Sequence, residues 1–277
     1  MTIQWFPGHM TKAIREIQEK LADKGIDMVI ELRDSRIPFS SRNPLIDTLS
    51  AKMPRLVVLT KRDLADPEII QKWILKLSSD TVTVIALDVL KDDTRSLVVD
   101  GCLKVMQKKF DRWKEKGIRP RKIKAIVLGI PNVGKSTLIN QLAKRKMMTV
   151  ANRPGVTMAL KWANVHPQLD ILDTPGLLWP KFEDKQVALH LALTGSIADK
   201  VLPVEDICMY AFEYLNKHYP KALSNHYHLT FNNGLEFFDG LARQRGCVRD
   251  NEAVLAQSYQ IFLKDLRAGD LGRINFE

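Results

Sequence analysis

Gly129-Ile130-Pro131-Asn132-Val133-Gly134-Lys135-Ser136, followed by Thr137, decides how this chain is read. It fits the pattern G-x-x-x-x-G-K-[ST] in the setting that pattern demands: apolar Ala125 to Leu128 lead in as a strand, and Thr137 to Leu142 open a helix. The glycines let the backbone turn tightly, so that successive N–H groups converge on phosphate oxygens while the helix start adds the positive end of its dipole. Asn132, Val133, Gly134, Lys135, Ser136 and Thr137 are therefore expected to line a phosphate site. Lys135 would reach the β and γ phosphates, and the Ser136 hydroxyl would bind Mg²⁺. A Gly-rich turn that binds nothing would not need strand, loop, Lys-Ser and helix in this order.

Which base is bound is written upstream. Leu56 to Leu59 read as a buried strand that runs into Thr60-Lys61-Arg62-Asp63, which resembles the guanine-reading motif [NT]-K-x-D of GTPases. A carboxylate there accepts two hydrogen bonds from guanine, whose N1 hydrogen and amino group are both donors. Adenine offers an acceptor at N1 and would leave that carboxylate unpaired. Asp63 is thus the expected specificity residue, with the stem of Lys61 along the base and its end holding the phosphate loop. Thr60 replaces the commoner Asn. The tetrapeptide alone is weak, and an ordinary strand exit would read the same. Its support is position: the β-branched strand Thr81 to Ile85 is followed by Ala86-Leu87-Asp88, where a GTPase places the loop whose amide meets the guanine oxygen, although the usual Ser-Ala is absent.

Beyond the phosphate loop, Pro154-Gly155-Val156-Thr157 places a second hydroxyl, Thr157, for Mg²⁺. After the strand Leu169 to Leu172 comes Asp173-Thr174-Pro175-Gly176, with Asp173 expected to hold the metal through water and the Gly176 N–H to meet the γ-phosphate. Each is an ordinary loop on its own. Together they run base, phosphate, switch, metal, whereas a standard GTPase places the base-reading segments last. The order is circularly permuted.

That order, with Trp5-Phe6-Pro7-Gly8-His9-Met10, Arg33-Asp34-Ser35-Arg36-Ile37-Pro38 and Ser41-Arg42-Asn43-Pro44, resembles the ribosome biogenesis GTPase A (RbgA/YlqF) family. The likeness covers about the first 180 residues motif by motif and the remainder more weakly. It implies an α/β P-loop GTPase domain of permuted order at 1–178 and a small all-helical domain at 179–277 that docks on ribosomal RNA. It implies GTP hydrolysis with Mg²⁺, and a partner in the precursor of the large ribosomal subunit, bound late in assembly and released on hydrolysis. Two further expectations rest on the likeness. Leu177 follows Gly176 where many GTPases carry the Gln that orients water, and an apolar residue cannot do that. In this family the role falls to the histidine of the opening motif, here His9, which without the likeness would read as a surface or capping residue. Asn132 matches a position associated in similar GTPases with K⁺ bridging the phosphates, and it could equally be a polar loop residue.

Composition bounds the rest. The 277 residues allow a GTPase-sized domain and a smaller one, and 45% hydrophobic residues suffice for a core. A net charge of +10 favours an acidic partner. Lys108 to Lys124 concentrates nine basic residues against two acidic ones, as an RNA contact or simply as a solvated linker between the two parts of the permuted domain. Cys102, Cys208 and Cys247 lack metal-ligand spacing and suggest a reducing compartment. There is no apolar run of membrane-spanning length and no signal-peptide pattern, so a cytoplasmic protein is expected, and nothing demands a dimer. Two other readings stay open: an ATP-using P-loop kinase, which leaves Asp63 unexplained, and a nucleotide-gated RNA- or membrane-binding GTPase that does not act on ribosomes.

An amphipathic helix is predicted over Thr11 to Lys24, with Ala13, Ile14, Ile17 and Leu21 on one face. A strand follows over Asp27 to Leu32. Asp66 caps a helix with Pro67 at its first position, and another helix is expected over Ser96 to Phe110. The loop from Arg36 to Pro44, rich in Ser, Arg, Asn and Pro, reads as a partner contact or a turn, contact being preferred. From Asp184 onward helical patterns dominate.

Overall fold

The computed structural model describes the chain except at residues 1–2, 5–7, 24, 52, 120, 145–159, 180, 199–200, 202 and 250–251; at residues 3, 4, 8–10, 181, 252 and 253 it describes the backbone alone. Pro154 to Thr157 therefore lie outside the described residues, as does the side chain of His9.

A short strand β1 (Ile3–Gln4) precedes α1 (Gly8–Ala22). The first alternating unit is β2 (Met28–Asp34), α2 (Pro44–Ser50), β3 (Arg55–Thr60), α3 (Pro67–Leu77), β4 (Val82–Leu87) and α4 (Thr94–Glu115). The second is β5 (Ile123–Gly129), α5 (Lys135–Ala143), β6 (Lys161–His166) and β7 (Leu169–Asp173). Then come β8 (Lys181–Phe182), α6 (Lys185–Leu193), α7 (Val204–His218), α8 (Pro220–Tyr227), α9 (Gly234–Gln244), the pair β9 (Val248–Arg249) and β10 (Glu252–Ala253), and α10 (Leu255–Ala268).

Six strands form one sheet in the order β4-β3-β2-β5-β7-β6, parallel except that β6 runs antiparallel to β7. Both faces are covered by helices, so β2 and β3 are buried along their whole length, the charged Glu31, Arg33 and Asp34 of β2 included. Registers align the carboxyl ends: Asp34 faces Thr60, and Leu32 faces Gly129. The loops leaving β2, β3 and β5 therefore meet at one edge, the place where open parallel sheets bind ligands.

The local chemistry explains the helix ends. Asp66 caps α3 by accepting from the amides of Glu68 and Ile69, with Pro67 at the first position, and Asn43 caps α2 in the same way through Leu45. The predicted face of α1 is the one that packs: Ala13 and Ile17 join Ile126, Leu128, Leu172 and Leu177 in a core beneath the helix. The basic run 108–124 divides, its first part extending α4 to Glu115 and its last residues entering β5. The larger core runs from Met28 and Val127 in the sheet to Phe237, Phe262 and Phe276 in the helical half, so the two parts share one apolar interior.

Candidate functional site

The phosphate loop takes the form its residues dictate. Between β5 and α5 the backbone enters the left-handed region at Asn132 (φ 57°) and Gly134 (φ 99°), and at Gly134 a side chain would be strained. Gly134 is also the N-cap of α5 and supplies no capping side chain, so the first amides of that helix are left for an anion. Lys135 folds back over its own loop, donating from Nζ to the carbonyls of Ile130 (2.8 Å) and Gly129 (3.1 Å). Burial pushes its pKa down to about 8, an effect the Asp173 carboxylate partly offsets. Ser136 and Thr137 follow on the first turn of α5.

Asp173 ends β7 against β5 and is fully buried. Neither carboxylate oxygen has a hydrogen-bond partner among the described residues, and burial raises its pKa while Lys135 lowers it. A buried carboxylate left unpaired is costly unless a cation completes it. The unpaired Asp173 carboxylate thus suits a hard cation. Gly176 packs against the phosphate loop so closely that a Cβ would stand 2.7 Å from Pro131 Cα. Leu177 is fully buried in the core under α1; its N–H donates to the Gly129 carbonyl (3.0 Å) and its carbonyl accepts from Asn43 Nδ2 (2.9 Å). No polar atom of the Leu177 side chain exists to orient water. Thr157 is outside the described residues. His9 lies in α1 one turn before Ala13, which packs in the same core as Leu177.

The base-reading segment joins the phosphate loop directly. Thr60 is buried, and its hydroxyl donates to the Val133 carbonyl (2.7 Å), with the Arg33 carbonyl 3.1 Å away. It is therefore Thr60, at the strand end, that reaches the phosphate loop. Lys61, in the left-handed conformation, instead sends Nζ to Asp34 Oδ2 at 2.8 Å. Asp34 is the residue that reading the sequence missed. It is fully buried, held below the usual carboxylate range by Arg36 and Lys61 against the upward push of burial, and Arg36 grips both of its oxygens at 2.9 and 2.8 Å. The signal was Arg33-Asp34-Ser35-Arg36, whose charges at strand-end spacing look like surface until Lys61 is seen to share them. Asp63 sits on a single 3-10 turn, Arg62–Leu64, at partial burial. Arg62 turns outward and pairs with Asp92 at 2.6 and 2.8 Å, and Asp92 also accepts from the Asp88 amide (2.8 Å). That bridge ties the loop after β3 to the loop after β4, the Ala86-Leu87-Asp88 segment. A cavity of about 500 Å³ opens there, with Asp63, Asp88 and Ile70 in its wall.

Asn132 donates from Nδ2 to the Gly195 carbonyl (2.7 Å), a contact between the phosphate loop and the turn after α6. The loop from Arg36 to Pro44 is mostly buried, with Phe39, Arg42 and Pro44 exposed. Its polar residues are spent internally, as the Asp34–Arg36 pair and the Asn43 cap show.

Sheet order, phosphate loop and upstream base segment define a circularly permuted P-loop GTPase. A family profile described as "50S ribosome-binding GTPase" matches residues 124–230. Ribosome biogenesis GTPase A of Bacillus cereus is 45% identical, covering 100% of this chain and 94% of the relative. The protein of that name from Priestia megaterium is 44% identical, covering 100% of this chain and 97% of the relative. The solved structure of GNP-bound YlqF from Thermotoga maritima superposes with a TM-score of 0.68 at 25% identity, covering 96% of this chain and 97% of that one. The chain belongs to the ribosome biogenesis GTPase A family.

Proposed function

We propose that this protein binds GTP through Thr60, Lys61, Arg62, Asp63, Gly176 and the phosphate loop from Asn132 to Thr137, and hydrolyses it to GDP and phosphate during assembly of the large ribosomal subunit. The observation that carries this reading is the Thr60–Val133 bond of 2.7 Å, which fastens a guanine-type T-K-x-D segment to a phosphate loop although 73 residues separate them. Ser136, Thr157 and Asp173 would hold Mg²⁺, and the unpaired oxygens of Asp173 favour it. Bound there, the ion would neutralise charge on the β and γ oxygens. Lys135, already lying at the mouth of the loop, would place its ammonium on the same oxygens once a phosphate displaces the carbonyls of Gly129 and Ile130. His9 is the proposed group for orienting water, since Leu177 is apolar and buried and α1 lies over it. Asn132 Oδ1 is the proposed K⁺ ligand.

γ-Phosphate would order the segments carrying Thr157 and Gly176, and its loss would release them and lower affinity for the partner. Residues 1–178 form the proposed GTPase domain and 179–277 the proposed RNA-docking domain, acting as a monomer in the cytoplasm. Among the described residues no helix is long and apolar enough to cross a membrane.

The test exchanges the base reader. Asp63→Asn offers an amide donor where guanine presents donors, so GTP affinity should fall by about 100-fold while xanthosine triphosphate, with a carbonyl at C2, gains. Measured affinities for both nucleotides decide it. A variant that keeps its preference for GTP would remove Asp63 from the site.

A further inference from the structure

Segment 270–277 leaves α10 and returns to the sheet edge that carries the base-reading turn. Gly269 (φ 88°) makes the corner beside Leu64. Beyond it, Ile274 N–H donates to the Leu64 carbonyl (3.0 Å) and Phe276 N–H to the Arg36 carbonyl (3.0 Å). Asn275, fully buried between them, donates from Nδ2 to the Ser35 carbonyl (2.7 Å) and accepts at Oδ1 from the Asp66 amide (2.7 Å). Tyr219, at the end of α7, holds Asn275 from behind: its hydroxyl accepts from the Asn275 amide (3.0 Å) and donates to the Asn275 carbonyl (3.3 Å). Glu277 completes the attachment. Its carboxylate accepts from the Phe39 and Ser40 amides (2.6 and 2.9 Å), contacts the Ser40 hydroxyl, and lies 3.0 Å from His190 Nδ1 of α6.

The two segments that Asn275 joins are those that frame the base reader. Ser35 follows Asp34, the partner of Lys61; Asp66 lies just past the 3-10 turn that carries Asp63. With donor and acceptor both bonded in the interior, Asn275 fixes the separation of the two segments. Moving either would leave a buried backbone group unpaired, which costs more than the bond itself contributes.

We propose that Asn275 is a positioning residue for guanine recognition, and that segment 270–277 couples the helical half of the molecule to the base site by holding the turn that carries Asp63. A shift of α7 or α10 would then slacken the grip on the base while the phosphate contacts persist. The inference rests on Asp63 as the base reader.

The experiment compares GDP with inosine diphosphate, which lacks the 2-amino group that Asp63 would bind, on the full chain and on Asn275→Ala and Tyr219→Phe. The unsubstituted protein should prefer GDP by at least about tenfold, the worth of one charge-assisted bond. Asn275→Ala should cut that preference to about threefold or less, with inosine diphosphate affinity nearly unchanged, and Tyr219→Phe should move it about threefold in the same direction. A role in folding alone would lower the unfolding temperature and leave the ratio intact, so an unchanged ratio in both variants overturns the inference. Should Asn275→Ala fail to fold, Tyr219→Phe decides by the same criterion. An unsubstituted protein that binds both nucleotides equally overturns the reading of Asp63, and this inference with it.

Discussion

At the residue scale, Lys135 and Asp173 hold opposite charges in a buried site, each shifted by burial toward its neutral form and each partly restored by the other. A polyphosphate and a cation would supply the missing counter-charges, so the pocket is matched to a ligand that brings both. Asp173→Asn should therefore cut GTP hydrolysis by at least about 100-fold and abolish its response to added Mg²⁺, while Mg²⁺-free GDP binding changes little. Hydrolysis rates across a Mg²⁺ titration check this, and an unchanged Mg²⁺ requirement would take Asp173 out of the metal site. Most of this pocket was legible in the sequence, because a phosphate loop is a local object whose glycines, lysine and hydroxyl follow one another along the chain. Asp34 was not. Its partner Lys61 lies 27 residues away, and only the register of β2 with β3 makes them neighbours.

At the scale of elements, the loop from Asp34 to Asn43 shows how polar composition misleads. Serines, arginines and an asparagine suggest an exposed contact surface, yet Asp34, Arg36, Ser40, Ser41 and Asn43 are buried with their side chains bonded into the fold, and Ser35 is buried and held through its backbone. Composition gives no hint of this, since part of what satisfies them is distant in sequence: Lys61 just after β3, the Leu177 carbonyl, and Glu277 beyond α10. Removing one partner leaves the others uncompensated, so Asp34→Asn should cost about 3 kcal/mol in unfolding free energy. The sign of its pH dependence follows from the direction of the shift. Asp34 is held ionised in the fold, so its contribution is complete above the ordinary carboxylate value near 3.8 and is lost as the pH falls below it. Denaturation curves at pH 7 and pH 3 should show the variant and the parent converging in acid. A constant gap would contradict the assignment.

Gly176 lies against Pro131 with no room for a methyl group, so Gly176→Ala must displace either the segment after β7 or the phosphate loop. GTP hydrolysis should fall by about tenfold or more, because an error near 1 Å in the placement of reacting groups is that costly. Normal hydrolysis by a folded Gly176→Ala would show that the two segments are free to separate.

At the scale of the molecule, the helical half is joined to the GTPase half by a continuous apolar core, by the Asn132–Gly195 bond and by segment 270–277. The sequence announced helices there but not their attachments, whose partners lie as far as 240 residues away. Charge was legible without structure: Lys114, Lys116 and Arg119 stand exposed at the end of α4 and just beyond it. Reversing all three to Glu should weaken binding to large ribosomal subunits by about tenfold or more at low salt and flatten its salt dependence, leaving basal GTP hydrolysis unchanged. Sedimentation with subunits at two salt concentrations reads this directly; equal binding would move the contact to another face.

We propose a GTPase whose turnover is coupled to the large ribosomal subunit. Its most direct test is hydrolysis of GTP with and without purified large subunits at two salt concentrations, with ATP as the control. GTP turnover should show strong, salt-sensitive stimulation, and ATP turnover none. Unstimulated GTP turnover would discard the ribosomal partner, and a preference for ATP would contradict the reading of Asp63 on which the whole site depends.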